Sequence, residues 1–336
     1  MNEYNIQIRK LFQSLDLGEL TEDIVPMPLG YSHKMFAVTT TKGKYAVKAL
    51  NPYRMCDMEA RKRMETSERV SCFASRFVDA ICALQFHGEV LLELEGQYYM
   101  IYEFVTGDTV DSNTISLEHC KRMGETLAKL HSIDFSELGI KEESDEERTE
   151  IDWNYYIEEG KRQNAPWSEL LEDTKEKLSK WYRQGIEADV LLSKNRKMSH
   201  RNMDPRNVIW VNGSPRIIDW EEADYINPYY DFLHTAIHWS KCGDGSVNSE
   251  RFLCFTKGYE SIKPLGSVCW ERVIVRQYLE PIEWLEYCLK QSLGMFGDDE
   301  KTKQTGSNGV FYMINVDIVP YKQEAKKLIG LIKKLT

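Results

Sequence analysis

Apolar residues near the start of the chain recur at helical spacing. Ile8, Leu11, Phe12 and Leu15 share one face, which predicts a helix before the punctuation at Pro26 and Pro28. The pattern then becomes strand-like. Two β-rich runs, Met35–Thr41 and Lys44–Leu50, flank Lys42-Gly43 and read as a tight hairpin. Asp57–Ala83 contains neither Pro nor Gly and predicts one long helix. Leu84–Glu93 and Gln97–Val105 predict a second β pair around Glu95-Gly96. From Leu117 helical periodicity dominates. It is interrupted near Ser199–Trp220 by short β-like runs, Val208–Val211 and Arg216–Ile218. The charge-rich stretch Lys141–Glu150 reads as a solvated loop or the start of an inserted helical segment, and the polar break Gly297–Gly309 as a flexible surface loop.

Composition narrows the class. The chain has 336 residues, with 42% hydrophobic and 11% aromatic, enough for a folded core and for two domains or one bilobal enzyme. It carries 53 Asp and Glu against 43 Lys and Arg, a net charge of −10, which disfavours nucleic-acid and anionic-membrane partners and suits cationic small molecules. Eight cysteines (Cys56, Cys72, Cys82, Cys120, Cys242, Cys254, Cys269 and Cys288) form no CxxC pair. Their irregular spacing argues against a disulfide scaffold or a structural zinc site and for reduced thiols. The Met1-Asn2-Glu3-Tyr4 start lacks the basic and apolar regions of a signal peptide. No apolar run approaches the ~20 residues of a membrane span, and the mean hydropathy of −0.49 agrees. The expectation is a cytoplasmic protein, monomeric or weakly homodimeric.

The most informative segment is Ser199-His200-Arg201-Asn202-Met203-Asp204-Pro205-Arg206-Asn207-Val208-Ile209-Trp210, followed by Arg216-Ile217-Ile218-Asp219-Trp220-Glu221. Phosphoryl transfer asks little covalent chemistry of a protein. It needs a carboxylate at the acceptor hydroxyl and oxygen ligands that hold Mg²⁺ against the nucleotide phosphates. His200, Asn207 and Asp219 have kinase spacing, with a β-hairpin turning at Asn212-Gly213-Ser214-Pro215 between the two oxygen ligands.

These segments resemble the catalytic loop of the aminoglycoside phosphotransferase family, small-molecule kinases whose pattern runs His-x-Asp-x-x-x-x-Asn and then apolar-apolar-Asp. Three further segments extend the resemblance over most of the chain. Ala46-Val47-Lys48 is similar to the strand bearing the phosphate-binding Lys. Thr126–His131 is similar to the helix end after the hinge, and Asn227-Pro228-Tyr229-Tyr230-Asp231 to the segment after the metal Asp. The resemblance implies an α+β, bilobal, protein-kinase-like fold. A small antiparallel β N-lobe (1–106) would precede a larger, mainly helical C-lobe (107–336). The C-lobe would hold the catalytic loop (199–221) and substrate-binding helices at about 135–196 and 240–336.

The roles implied are specific. Lys48 would hold phosphates, positioned by Glu68, with Glu65 as the other candidate on that face. Asn207 and Asp219 would bind Mg²⁺. Backbone groups near Ser32 and His33 would meet phosphate oxygens, and those around Glu103 and Val105 would take the base of ATP or GTP. The acceptor, a small and cationic molecule of aminoglycoside type, would engage acidic and aromatic side chains. The candidates are Glu221, Asp231, Tyr278, Glu280 and Trp284, with others among Asp152–Glu159 and Glu283–Tyr287. Choline and homoserine are alternative acceptors, since the family also holds kinases for such metabolites. His234 and His238 lie one helical turn apart but lack a third ligand, so they read as packing residues.

One residue departs from the pattern. Asn202 stands where the family has its catalytic Asp, and an amide neither accepts the hydroxyl proton nor carries the orienting charge. Three readings stay open: an engineered substitution that traps substrate, a natural pseudokinase that binds nucleotide or ligand, or rescue by Asp204.

Overall fold

The computed structural model describes residues 3–27, 33–55, 57–142, 148–297 and 299–333. Along the chain run α1 (Glu3–Ser14), β1 (Val25–Met27), β2 (Lys34–Thr40), β3 (Gly43–Ala49), α2 (Met58–Ala74), β4 (Leu92–Leu94) and β5 (Gln97–Glu103). Next come α3 (Leu117–Leu130), α4 (Trp153–Arg162), α5 (Ser168–Leu192), β6 (Lys197–Ser199), β7 (Val208–Val211), β8 (Ser214–Ile217) and β9 (Asp224–Ile226). The chain ends in α6 (Pro228–Ser240), α7 (Ser249–Glu260), α8 (Trp270–Arg276), α9 (Leu279–Ser292), α10 (Glu300–Tyr312) and α11 (Val319–Ile332). No described helix is long and apolar enough to cross a membrane.

Two compact units emerge. The first contains Met1–Asp111, Lys129–Lys141 and Met198–Asp224, and the second contains Ser112–Ala128, Glu142–Lys197 and Tyr225–Thr336. The segment 199–221 therefore packs as part of the first unit.

The first unit is built on a five-stranded antiparallel sheet, ordered β1-β2-β3-β5-β4. Period-2 alternation sends the strand side chains to two cores. Val47, Ala49, Tyr99 and Ile101 join Ile8, Leu11 and Phe12 of α1. On the opposite face, Leu50 and Met100 join Met64 of α2. Each large apolar side chain buried this way contributes about 1.5–3 kcal/mol. Lys48 is paired directly with Met100 across the ladder, so the pleat carries it to the α2 face. The β4–β5 turn is fixed by Glu95 and Gly96, both with positive φ (52° and 80°), the backbone that a two-residue hairpin turn requires.

The helix expected over Asp57–Ala83 stops at Ala74. Residues 76–78 bond back to Phe73 and Ala74 in a closing turn, and the residues after them find partners outside the helix. Ile217 N–H donates to Asp79 O (2.9 Å) and Ile81 N–H donates to Ile217 O (2.8 Å), so this connector bonds the end of β8 instead of extending α2. The expected strand Leu84–Glu93 shrinks to Leu92–Leu94, because His87 and Gly88 turn the chain with φ of 54° and 89°.

In the second unit, Trp167, Leu171, Leu178, Trp181 and Tyr182 on α5 pack with Leu279, Ile282, Leu285 and Leu289 on α9. The expected loop Gly297–Gly309 is largely helix α10, capped by Asp299, whose side chain accepts from Thr302 N. Its glycines serve packing. A Cβ on Gly306 would lie 2.4 Å from the backbone N of Ser292 on α9, so only glycine permits this approach of the two helices.

Candidate active site

The loop between β6 and β7 is organised by His200, which is fully buried. Its Nδ1 accepts the Asn202 N–H (3.2 Å), so Nε2 is the protonated nitrogen and donates to Ile218 O at 2.9 Å. The ring also meets Trp220 edge-on, with centroids 4.7 Å apart. His200 is thus a brace between the loop and the segment that leads to Asp219. Asn202 is held by its backbone at both ends, since its carbonyl accepts from Asn207 Nδ2 at 2.9 Å.

Asp204 serves the loop itself. Its carboxylate caps the short turn Pro205–Asn207 by accepting from Arg206 N (2.8 Å) and takes the Arg206 guanidinium in an ion pair. A carboxylate so engaged is a structural cap of the loop.

Asn207 and Asp219 converge through the β7–β8 hairpin, because Ile218 N–H donates to Asn207 O at 3.0 Å. Asp219 adopts a left-handed backbone (φ 64°, ψ 61°), as does Arg201 (φ 64°). Such a conformation costs a non-glycine residue about 1–2 kcal/mol. At Asp219 the turn out of the strand brings its carboxylate to Lys48.

Lys48 is the centre of the charged group. It is 7% exposed, and its Nζ donates to Asp219 Oδ1 (2.6 Å) and Glu221 Oε2 (2.7 Å). Burial pulls the Lys48 pKa down, but the two carboxylates outweigh it and hold the ammonium above its ordinary value. Glu221 in turn reaches His33 Nε2 at 3.2 Å, and His33 Nδ1 accepts the Asn51 N–H at 2.9 Å. Burial would raise the Glu221 pKa, but the His33 bond and the Lys48 charge lower it to about 2.

The Lys48–Glu68 ion pair expected from the sequence is not the one Lys48 makes. Both Glu68 oxygens are engaged elsewhere, one by Ala83 N–H (2.8 Å) and one by the Tyr102 hydroxyl (2.9 Å). Burial raises the Glu68 pKa, and the bonds and the Lys48 charge only partly offset it. Glu221, expected among acceptor-binding residues, belongs instead with Lys48 and His33. His33 contributes a side chain where only backbone was expected. Ser32 lies outside the described residues. Glu103 closes β5 opposite Tyr45, and Val105 follows it.

Among the described residues, no three His, Cys, Asp or Glu side chains gather as a metal site by themselves. The fit of Mg²⁺ rests on donor chemistry. Asn207 Nδ2 is used on Asn202 O, which leaves Oδ1 as its acceptor atom, and the Asn207 backbone is bonded to Ile218, next to Asp219. A neutral and an anionic oxygen suit a hard cation that keeps waters and phosphate oxygens as its other ligands.

The remaining expected acceptor residues lie in the second unit. Tyr278 is core, stacked on Trp181 with centroids 5.0 Å apart. Asp231 is 2% exposed on α6. Glu280 accepts from the Tyr230 hydroxyl and from Arg276 (3.1 Å), inside a partly buried network that the sequence did not reveal. That network continues from Arg276 to Asp189 (2.6 Å), then to Arg148 and Glu283. Trp284 stands open, 55% exposed and stacked on Tyr287, and Tyr155 is also exposed. His234 bonds Gln277 and stacks on His238, with no metal-ligand geometry.

Residues 23–265 match the phosphotransferase enzyme family, APH. The chain belongs to that family. Solved structures of similar fold include a spectinomycin phosphotransferase in complex with ADP and spectinomycin (12% identity, 95% of this chain and 98% of that one, TM-score 0.65). An ethanolamine kinase of Plasmodium vivax shares 17% identity over 95% of this chain and 91% of its own (TM-score 0.58). A choline kinase of Cryptosporidium parvum shares 15% over 92% and 91% (TM-score 0.57). The expected family and its α+β fold, an antiparallel N-terminal sheet followed by a helical C-terminal part, are borne out. By family this phosphotransferase is a small-molecule kinase.

Proposed function

We propose that this phosphotransferase binds Mg-ATP or Mg-GTP and belongs to a lineage that transfers the γ-phosphoryl group to a hydroxyl of a small, cationic acceptor, with Asn202 disarming the transfer in this chain. The observation that carries the reading is the convergence of Lys48, Asp219 and Glu221, with Asn207 held beside Asp219. Lys48 would exchange part of its carboxylate contact for nucleotide phosphate. Asn207 and Asp219 would hold Mg²⁺, which supplies neutralisation of phosphate charge when bound. His33 would fix Glu221, and Glu221 would fix Lys48.

Asn202 would sit at the acceptor hydroxyl. Its amide can orient a hydroxyl by hydrogen bonding but takes no proton. Spectinomycin, ethanolamine and choline kinases among the structural relatives support an acceptor with amine character. The chain's net charge of −10 is compatible with it.

A second reading, a pseudokinase that binds nucleotide without transfer, is favoured by the Asp204–Arg206 pair, which ties up the nearest other carboxylate. Thermal shift with Mg-ATP and Mg-GTP tests what both readings share. Absence of any shift would sink both. Phosphoryl transfer by Asn202→Asp to aminoglycosides, choline, ethanolamine and homoserine separates them.

A further inference from the structure

The helix that carries Glu68 also carries Cys72 one turn later on the same face. That face grips the connector that follows. Glu68 takes Ala83 N–H at 2.8 Å, and Ser71 Oγ donates to Ile81 O at 3.1 Å. These two rungs bracket Cys82 and set it beside Cys72, close enough for the two thiols to act on each other. Cys72 is exposed and Cys82 is partly exposed. We propose that Cys72 and Cys82 are an oxidation-sensitive dithiol that closes to a disulfide across the α2–connector contact, a modification site independent of the phosphotransfer reading.

The chemistry balances with a small-molecule disulfide such as glutathione disulfide as oxidant. The Cys72 thiolate attacks one sulfur of the oxidant, forming a mixed disulfide and releasing one glutathione thiolate. Cys82 then loses its proton and attacks Cys72 Sγ, releasing the second glutathione. Two electrons pass to the oxidant, and the two protons end on the glutathione thiols. The order follows from the surroundings. Burial, and then Cys72 beside it, push the Cys82 thiol up to about 11, so the exposed partner starts the exchange. Cys120 and Cys254, the other neighbouring pair, provide an internal control. Cys120 is buried and bonds Trp239 O at 3.3 Å, out of reach of an oxidant.

The bond would tie α2 to the connector that meets Ile217, two residues before Asp219. The test treats the full reduced chain with glutathione disulfide and reads tryptic peptides by mass spectrometry. Arg76 lies between the two cysteines, so their peptides separate unless linked, and fragmentation of the linked pair distinguishes Cys82 from Cys120 on the same peptide. The expected result is a linked Cys72–Cys82 peptide pair, lighter by two hydrogens than the free pair and released by dithiothreitol. Cys82→Ser should arrest at a Cys72–glutathione adduct, and Cys72→Ser should leave Cys82 unmodified. A stable adduct on Cys72 in the unsubstituted chain, no reaction at either cysteine, or linkage of Cys72 to another cysteine would each overturn the proposal.

Discussion

Lys48 Nζ and Asp219 Oδ1 lie 2.6 Å apart, although 171 residues separate them in the chain. The contact ties the central strand of the sheet to the end of the β7–β8 hairpin. It leaves Lys48 committed to two carboxylates. Replacing it by an apolar side chain of similar length exposes their charges to each other. Lys48→Met is expected to lose Mg-nucleotide binding by isothermal calorimetry. It should also destabilise the chain by about 3 kcal/mol in urea, at the low end for a broken ion pair because Asp219 is 38% exposed. Unchanged nucleotide affinity would remove Lys48 from the phosphate site.

Glu221 gives the chain an acid-sensitive contact. Its carboxyl ionises at about 2 in the fold, against 4.5 ordinarily. The stability it contributes is therefore present above about 4.5 and is lost as pH falls toward 2. Chemical denaturation of the unmodified chain should weaken across that window. Glu221→Gln, which cannot titrate, should weaken less steeply there while being less stable at pH 7. Parallel acid limbs in the two proteins would show that Glu221 is not held by Lys48 and His33.

Two glycines in neighbouring helices should respond with opposite signs to the same change. A Cβ on Gly306 meets backbone at 2.4 Å, whereas one on Gly330 meets nothing within 4 Å. Gly306→Ala is expected to cost about 1–3 kcal/mol through overpacking. Gly330→Ala should stabilise by up to about 1 kcal/mol through helix propensity. Urea midpoints decide, and a stabilising Gly306→Ala would mean that α9 and α10 do not pack as described.

Asp204 should matter to the loop and not to the chemistry. Asp204→Ala removes the cap on Pro205–Asn207, at a cost of about 1 kcal/mol. In an Asn202→Asp background it should leave the rate of transfer within a few-fold, read as kcat against stability. Loss of transfer with stability unchanged would restore Asp204 as a reacting carboxylate.

The segment 199–221 was conspicuous because its motif is local: His200, Asn202, Asn207 and Asp219 sit at fixed spacing in one short stretch. The hairpins were legible for the same reason, since Glu95-Gly96 and Asn212-Gly213 carry their turn signal themselves. What the sequence hid depends on distant partners. The end of α2 is decided by Ile217, far along the chain, and not by any breaker near Ala74. The α10 helix hides behind glycines that read as loop until Ser292 is seen pressed against Gly306. Glu221 reaches Lys48, and His33 reaches Glu221, from separate segments, so no spacing rule could assign them. Among the acidic and aromatic residues of the second unit, spacing could not show that Tyr278 packs in the core and that Glu280 joins an ion pair.

The central claim is that a phosphotransfer site survives around Asn202 and lacks only its carboxylate. Its most direct test is the transfer rate of Asn202→Asp beside the unmodified chain, with radiolabelled ATP and GTP and a panel of aminoglycosides, choline, ethanolamine and homoserine. The account predicts that the carboxylate raises transfer to at least one acceptor by about 10²–10⁴, the usual worth of a general base, with nucleotide affinity little changed. Tight Mg-nucleotide binding by both proteins, with no transfer by Asn202→Asp to any acceptor, would contradict it.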